Sequence, residues 1–124
     1  DFDTRKAISD DLNARYGANT KPEDFFIGCG AAPELVAVFR ALAVPGGEIL
    51  AIAPYFPEYK PFVENAGAAF KVIPPDVPDF QIRLDALEAA MTPNTVAIIL
   101  NSPNNPKRRP LIDIIYFASA YQPD

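Results

Sequence analysis

Three short segments carry the residue types that could bind a ligand, and each follows an apolar run. Residues 28–32 read Gly-Cys-Gly-Ala-Ala, residues 53–57 read Ala-Pro-Tyr-Phe-Pro, and residues 101–106 read Asn-Ser-Pro-Asn-Asn-Pro. Small residues at a strand-to-helix turn let backbone N–H groups approach a phosphate, aromatic rings offer a flat apolar face, and amides form hydrogen bonds. Together they suit a flat, phosphorylated, heteroaromatic ligand, for which pyridoxal phosphate and a nucleotide are both candidates.

The elements that must position these segments alternate along the chain. Apolar periodicity predicts helices at residues 4–16, from about residue 32, at 57–66 and at 84–91, and strands at 25–29, 49–53, 69–73 and 96–100. This order predicts an α/β fold with a parallel-type sheet and helical crossovers. Ligands bind outside the carboxyl ends of such strands, so the three segments are expected to converge there. Residues 111–117 are predicted to be a strand.

Composition excludes several other kinds of protein. The chain has 124 residues, enough for one domain, and its net charge of -5 argues against a nucleic-acid or anionic-membrane surface. It contains no histidine, which excludes Ser-His-Asp catalysis and His-ligated zinc, and the scattered acidic residues predict no metal site. Cys29 is the one cysteine, so no internal disulfide forms, a cytoplasmic setting is expected, and the thiol is expected to be buried.

Five motifs occur in a fixed order along residues 3–106. They are CGAAPEL at 29–35, PGGE at 45–48, APYFPEY at 53–59, DALEAA at 85–90 and NSPNNP at 101–106. This ordered set resembles the class I/II pyridoxal-phosphate-dependent aminotransferases, the aspartate-aminotransferase-like enzymes of fold type I. The resemblance implies that residues 1–106 form part of the cofactor-binding large domain of such an enzyme.

The resemblance also implies roles for individual residues. Gly30, Ala31 and Ala32 fall where backbone amides hold the phosphate of pyridoxal 5'-phosphate. Phe56 falls at the aromatic position that stacks on the pyridine ring. Asn105 falls at the asparagine that hydrogen-bonds the phenolic oxygen of the ring. The implied reaction moves an amino group between an amino acid and a 2-oxo acid, in a family of homodimers.

The sequence departs from the family pattern after residue 106. Lys107-Arg108-Arg109-Pro110 stands where the family continues Thr-Gly, so residues 107–124 are predicted to be a divergent tail, strand or irregular. None of the five lysines lies in the context of the Schiff-base lysine, so no catalytic residue is assigned. The chain is expected to be a truncated fragment that is inactive alone.

Two alternatives remain at this stage. A non-catalytic remnant or interaction module would bind or dimerise with a complete relative through its unpaired sheet edges. A nucleotide-binding Rossmann-type domain is the other, because residues 28–33 loosely match its glycine fingerprint. There the third glycine is replaced by Pro33, and the strand at residues 49–53 ends in Ala53 where an acidic ribose ligand is expected.

Overall fold

The computed structural model describes residues 1–77 and 82–101. These fall into two compact units, Asp1–Glu34 and a second unit that begins at Leu35. The predictions for Asn105, for a strand at residues 111–117 and for a divergent tail at 107–124 lie outside the described residues.

The first unit begins with a long helix whose ends are capped. Helix α1 spans Phe2–Tyr16; the Asp1 carboxylate accepts a hydrogen bond from the Asp3 amide at 3.1 Å. Gly17 ends the helix with a φ of 65°, a left-handed conformation that glycine adopts without steric cost. The predicted helix at residues 4–16 is therefore confirmed. A short 3₁₀ helix, Pro22–Asp24, follows.

The apolar residues of α1 do not form its buried surface. Ile8 is 37% exposed and Tyr16 is 66% exposed, whereas Ser9 is only 2% exposed. The Ser9 hydroxyl donates to the Thr20 carbonyl oxygen at 2.8 Å, and the Asn13 amide donates to the same oxygen at 2.9 Å. The loop after α1 is thus held to the helix by polar contacts rather than by the predicted apolar face.

The predicted first strand, residues 25–29, is wrong. The segment is irregular, Phe26 is 83% exposed and Ile27 is 48% exposed. A strand requires a hydrogen-bonded neighbour, and the sheet of the described residues contains only the three strands given below. An apolar run therefore did not suffice to form a strand here.

The remaining elements alternate as predicted. Helix α2 spans Ala31–Leu42, and the boundary between the two units falls within it. It is followed by β1 (Glu48–Ile52), α3 (Tyr59–Ala66), β2 (Ala69–Ile73), α4 (Leu84–Ala90) and β3 (Thr95–Ile99). The described strands form one parallel sheet in the order β2-β1-β3, which confirms the α/β fold with helical crossovers.

The central strand β1 is covered on both faces. Ile49, Leu50 and Ala51 are each at most 1% exposed. Phe39 of α2 and Val63 of α3 are fully buried in the same cluster as Ile49 and Ala51. Burial of each large apolar side chain stabilises the fold by about 1.5–3 kcal/mol. This packing explains the lack of polar alternation in the sequence of β1.

Candidate functional site at the carboxyl edge of the sheet

Strands β1 and β3 bring two of the predicted ligand-binding segments to one edge. The two strands are parallel neighbours, and their pairing runs to Ala51 opposite Ile99. Residues 53–57 therefore leave β1 at the same edge at which Leu100 and Asn101 leave β3. Of the three segments expected at this edge, the sheet therefore brings two together, while residues 25–29 before the third form no strand of this sheet.

The two aromatic residues after β1 have different neighbours. Phe56 packs edge-to-face on Tyr59 of α3, with ring centroids 5.6 Å apart. Tyr55 packs edge-to-face on Phe70 of β2, with centroids 5.1 Å apart. Burial raises the pKa of the Tyr59 phenol, so this ring stays neutral at physiological pH. Phe56 is half-buried, and its T-shaped contact with Tyr59 holds the ring at the carboxyl edge of the sheet.

The loop before α2 has an open backbone. Gly30 has a φ of 109°, and a Cβ built on it would meet no heavy atom within 4 Å. Ala31 begins the helix, and the first N–H groups of any helix lack intrahelical acceptors. Ala31 is exposed and Ala32 is half-buried, with side chains too small to cover these donors. This backbone fits the phosphate group of the cofactor implied by the sequence.

Glu34 opposes anion binding in the same loop. A Cβ built on Gly28 would overlap the Glu34 Oε1 atom, so this carboxylate lies against the Gly28 backbone. Glu34 lies in the first turn of α2, where the helix dipole stabilises a negative charge. The same carboxylate also adds a negative charge beside the loop. Sequence reasoning missed this second effect, since the contact depends on how the side chain folds back over the loop.

The expected burial of Cys29 is wrong. Its side chain is exposed, because residues 25–29 do not form a strand that a helix or second strand could cover. Within residues 1–77 and 82–101, no group of three or more His, Cys, Asp or Glu residues could hold a metal ion. No helix in this part of the chain is long and apolar enough to cross a membrane.

The predicted site residues therefore fall into three groups. Gly30, Ala31 and Ala32 belong to the first unit, and Phe56 belongs to the second. Asn105 lies outside the described residues, although Asn101 at the start of its segment follows β3. The convergence of these residues on one ligand stays a prediction.

Comparison with known proteins gives the family. Residues 2–107 match the family model for aminotransferase class I and II. A curated relative from Mycobacterium tuberculosis, a probable N-succinyldiaminopimelate aminotransferase, is 38% identical over 105 residues, covering 82% of this chain and 26% of the relative. The chain thus spans about a quarter of the length of the curated relatives it matches.

Solved structures agree with the family model. An aminotransferase from Eubacterium rectale has a TM-score of 0.81 and 45% identity, covering 86% of this chain and 27% of its own. Aspartate aminotransferase from Thermotoga maritima has a TM-score of 0.80 and 30% identity, covering 85% of this chain and 28% of its own. These neighbours have the fold type I architecture, and with the match over residues 2–107 they show that the chain belongs to the class I and II aminotransferases.

Proposed function

We propose that this chain forms the cofactor-cupping part of an enzyme that moves an amino group between an amino acid and a 2-oxo acid. The class I and II aminotransferases depend on pyridoxal 5'-phosphate, which supplies the electron sink of the reaction when bound. The observation that carries the proposal is the parallel pairing of β1 with β3 up to Ala51 and Ile99. It delivers the Phe56 segment and the start of the asparagine-rich segment to one sheet edge.

Each proposed binding residue has a distinct task. Phe56, fixed by Tyr59, stacks on the pyridine ring. The backbone amides of Gly30, Ala31 and Ala32 bind the phosphate, supported by the open φ 109° conformation of Gly30. These contacts bind and orient the cofactor.

Two further requirements of the proposed reaction are a hydrogen bond to the cofactor ring and a Schiff-base lysine. Asn105 is proposed to hydrogen-bond the phenolic oxygen of the ring, by its place in the motif at residues 101–106. None of the lysines matches the context of a Schiff-base lysine, so we expect the 124-residue chain to show no transamination by itself.

Isothermal titration with pyridoxamine 5'-phosphate tests the binding proposal. This amine form of the cofactor cannot react with surface lysines as an aldehyde does, so it reports non-covalent binding alone. We expect saturable binding that is lost with pyridoxamine lacking the phosphate and absent with NAD. Equal binding with and without the phosphate would contradict the proposed phosphate cup, and tighter binding of NAD would favour the nucleotide-binding alternative.

The same proposal includes a cytoplasmic setting and a homodimer. The single cysteine suits a reducing compartment, and the exposed Phe26 and Ile27 offer apolar surface for association. Size-exclusion chromatography with light scattering is expected to give twice the chain mass. A monomer at micromolar concentration would contradict the dimer, and also the alternative of an interaction module that dimerises.

A further inference from the structure

The amino end of the sheet contains a polar cluster that joins all three described strands. Glu48 opens the central strand β1, and its Oε1 lies 2.7 Å from the Lys71 Nζ on β2. Its other oxygen, Oε2, accepts a hydrogen bond of 2.8 Å from the Thr92 hydroxyl, in the loop that leads into β3. One carboxylate therefore contacts β2 on one side of the central strand and the loop that leads into β3 on the other.

The loop that Glu48 contacts is itself held in one conformation. The Thr92 amide donates to the Thr95 hydroxyl at 2.9 Å, and the Thr95 amide donates to the Thr92 carbonyl at 2.9 Å. The Asn94 amide donates to the Thr92 hydroxyl at 3.1 Å. Because Thr95 is the first residue of β3, fixing Thr92 against Glu48 fixes where β3 begins.

The apolar residues of β3 do not fix its register against β1. Val96, Ala97 and Ile99 are buried and Ile98 is half-buried, so both faces of the strand are aliphatic. A slip by one residue exchanges aliphatic side chains that differ in volume but not in polarity, so the alternation of polar and apolar residues does not specify the register. Backbone hydrogen bonds form in either register.

The observed register already contains an irregularity beside Glu48. Glu48 pairs with Thr95, but the next residue, Ile49, pairs with Ala97. Val96 is therefore the extra residue at this point, and β3 is displaced by one position relative to an uninterrupted pairing. An extra residue of this kind interrupts the ladder locally, and it lies next to the Glu48 carboxylate, which holds the loop that leads into β3.

We propose that Glu48 is the positioning residue that sets the register of β3 against β1. A one-residue slip moves a strand by about 3.3 Å, whereas a binding site tolerates errors of about 0.5 Å. The far end of β3 leads to Asn101, the first residue of the asparagine-rich motif. Glu48 thereby acts on the proposed cofactor site from the opposite end of the sheet, a step that rests on the proposed function.

Cross-strand NOE measurements on the full 124-residue chain test the register directly. The wild-type chain is expected to give contacts between the partners Leu50 and Ile98 and between Ala51 and Ile99. E48A and T92V are expected to give shifted or doubled contacts for these strands. T92S, which keeps the hydroxyl, is expected to restore the wild-type pattern. K71M, which loses only the contact to β2, is expected to keep the β1–β3 pattern.

The outcomes separate positioning from simple stabilisation. If E48A and T92V keep the wild-type NOE pairs and only unfold at lower temperature, Glu48 is merely stabilising and the proposal is overturned. If E48A does not fold, the NOE pattern of T92V decides between positioning and stabilisation, because this variant removes a single hydroxyl.

Titration with pyridoxamine 5'-phosphate separates this proposal from the proposed function. The Thr92 hydroxyl donates to Glu48 and accepts from the Asn94 amide, so T92V loses two hydrogen bonds that hold the observed register. T92V is therefore expected to bind at least about fivefold more weakly, because fewer molecules keep the binding register, and T92S is expected to bind like the wild type. Unchanged binding by a T92V chain with shifted NOE contacts would refute positioning of the site. If the wild-type chain does not bind at all, the proposed function fails, and the NOE contacts still decide the register.

Discussion

The two ends of the three-stranded sheet are stabilised by different kinds of contact. At the amino end, Glu48 makes polar contacts with Lys71 and Thr92 at 2.7 and 2.8 Å. At the carboxyl end, β1 is followed by Tyr55 and Phe56, whose rings pack edge-to-face against neighbouring rings. The contacts that fix strand geometry are thus placed away from the edge proposed to bind the ligand. At the carboxyl edge, the aromatic rings and the segments that follow the strands are the groups proposed to bind the ligand.

The largest expected effect is a loss of stability when one methyl group is added at the amino end of the sheet. A Cβ on the buried Gly47 would lie 3.0 Å from the Val44 carbonyl oxygen and Cγ2, and 3.3 Å from the Val96 Cγ1. Gly47→Ala is therefore expected to lower the free energy of unfolding by about 1–3 kcal/mol, measured by urea denaturation. The double variant with Val44→Ala should recover part of this loss. Full stability of Gly47→Ala would show that the amino end is less tightly packed than described.

A truncation at the carboxyl end is expected to affect binding. Phe56→Ala removes the proposed stacking ring, which is worth about 0.5–1.5 kcal/mol beyond burial and corresponds to about 2- to 12-fold weaker binding of pyridoxamine 5'-phosphate. Phe62→Ala is the matched control, since Phe62 is a half-buried phenylalanine that packs against the core from α3. It should destabilise the fold and leave affinity unchanged. Equal losses of affinity in both variants would remove the proposed role of Phe56.

A smaller effect is expected at the loop before α2. Glu34→Gln removes the negative charge next to Gly28 and should tighten binding of pyridoxamine 5'-phosphate by about 2- to 5-fold, the range of a charge near a helix terminus. Calorimetric titration at low salt measures this change. Glu23→Gln, an equal change of charge at an exposed position, is the control. Weaker binding by Glu34→Gln than by the control would show that the carboxylate organises the loop instead.

The smallest expected effect is a pH dependence at the amino end. Hydrogen bonds from Lys71 and then Thr92, with the charge of Lys71, hold the pKa of the Glu48 carboxyl below its usual value. The ionised carboxylate therefore stabilises the fold fully above the unfolded-state pKa of about 4.3. This contribution is lost as the pH falls through the lower folded-state pKa.

Thermal unfolding between pH 7 and pH 3 measures that loss. Glu48→Gln should show a flatter decline of the melting temperature than the wild type. Asp85→Asn is the control, because the pKa of Asp85 is also lowered, by Arg83, but its side chain is 70% exposed and the pair is screened by solvent. A steeper decline in Glu48→Gln would reverse the assigned sign.

Much of the second unit could be predicted from the sequence because its signals are local. The apolar runs at residues 49–53, 69–73 and 96–100 form strands within one residue of the predicted limits. The helix predicted at residues 57–66 ends at Ala66 as predicted, and Gly67 follows it in a left-handed conformation. In each case a short window contains the residues that decide the structure.

The sequence-based predictions were wrong or incomplete where the structure depends on residues that are far apart in the sequence. Residues 25–29 have a strand-like composition but no strand partner among the described residues, and composition carries no information about partners. The Glu48–Thr92 hydrogen bond joins positions 44 residues apart, so no local pattern reveals it. At the candidate site, the sequence identified Phe56 as aromatic, but only the structure shows that Tyr59 is the ring packed against it.

Lys71 has a second consequence at the border of the sheet. Among the described strands, β2 has only one neighbour, and its outer backbone groups could accept a strand from another molecule. Lysines in the middle of such border strands discourage this stacking, because a second copy would bring like charges together. Lys71 remains 42% exposed while it contacts Glu48. The side chain that joins β2 to the central strand is therefore also a partly exposed charge of the kind that disfavours edge-to-edge stacking of two copies.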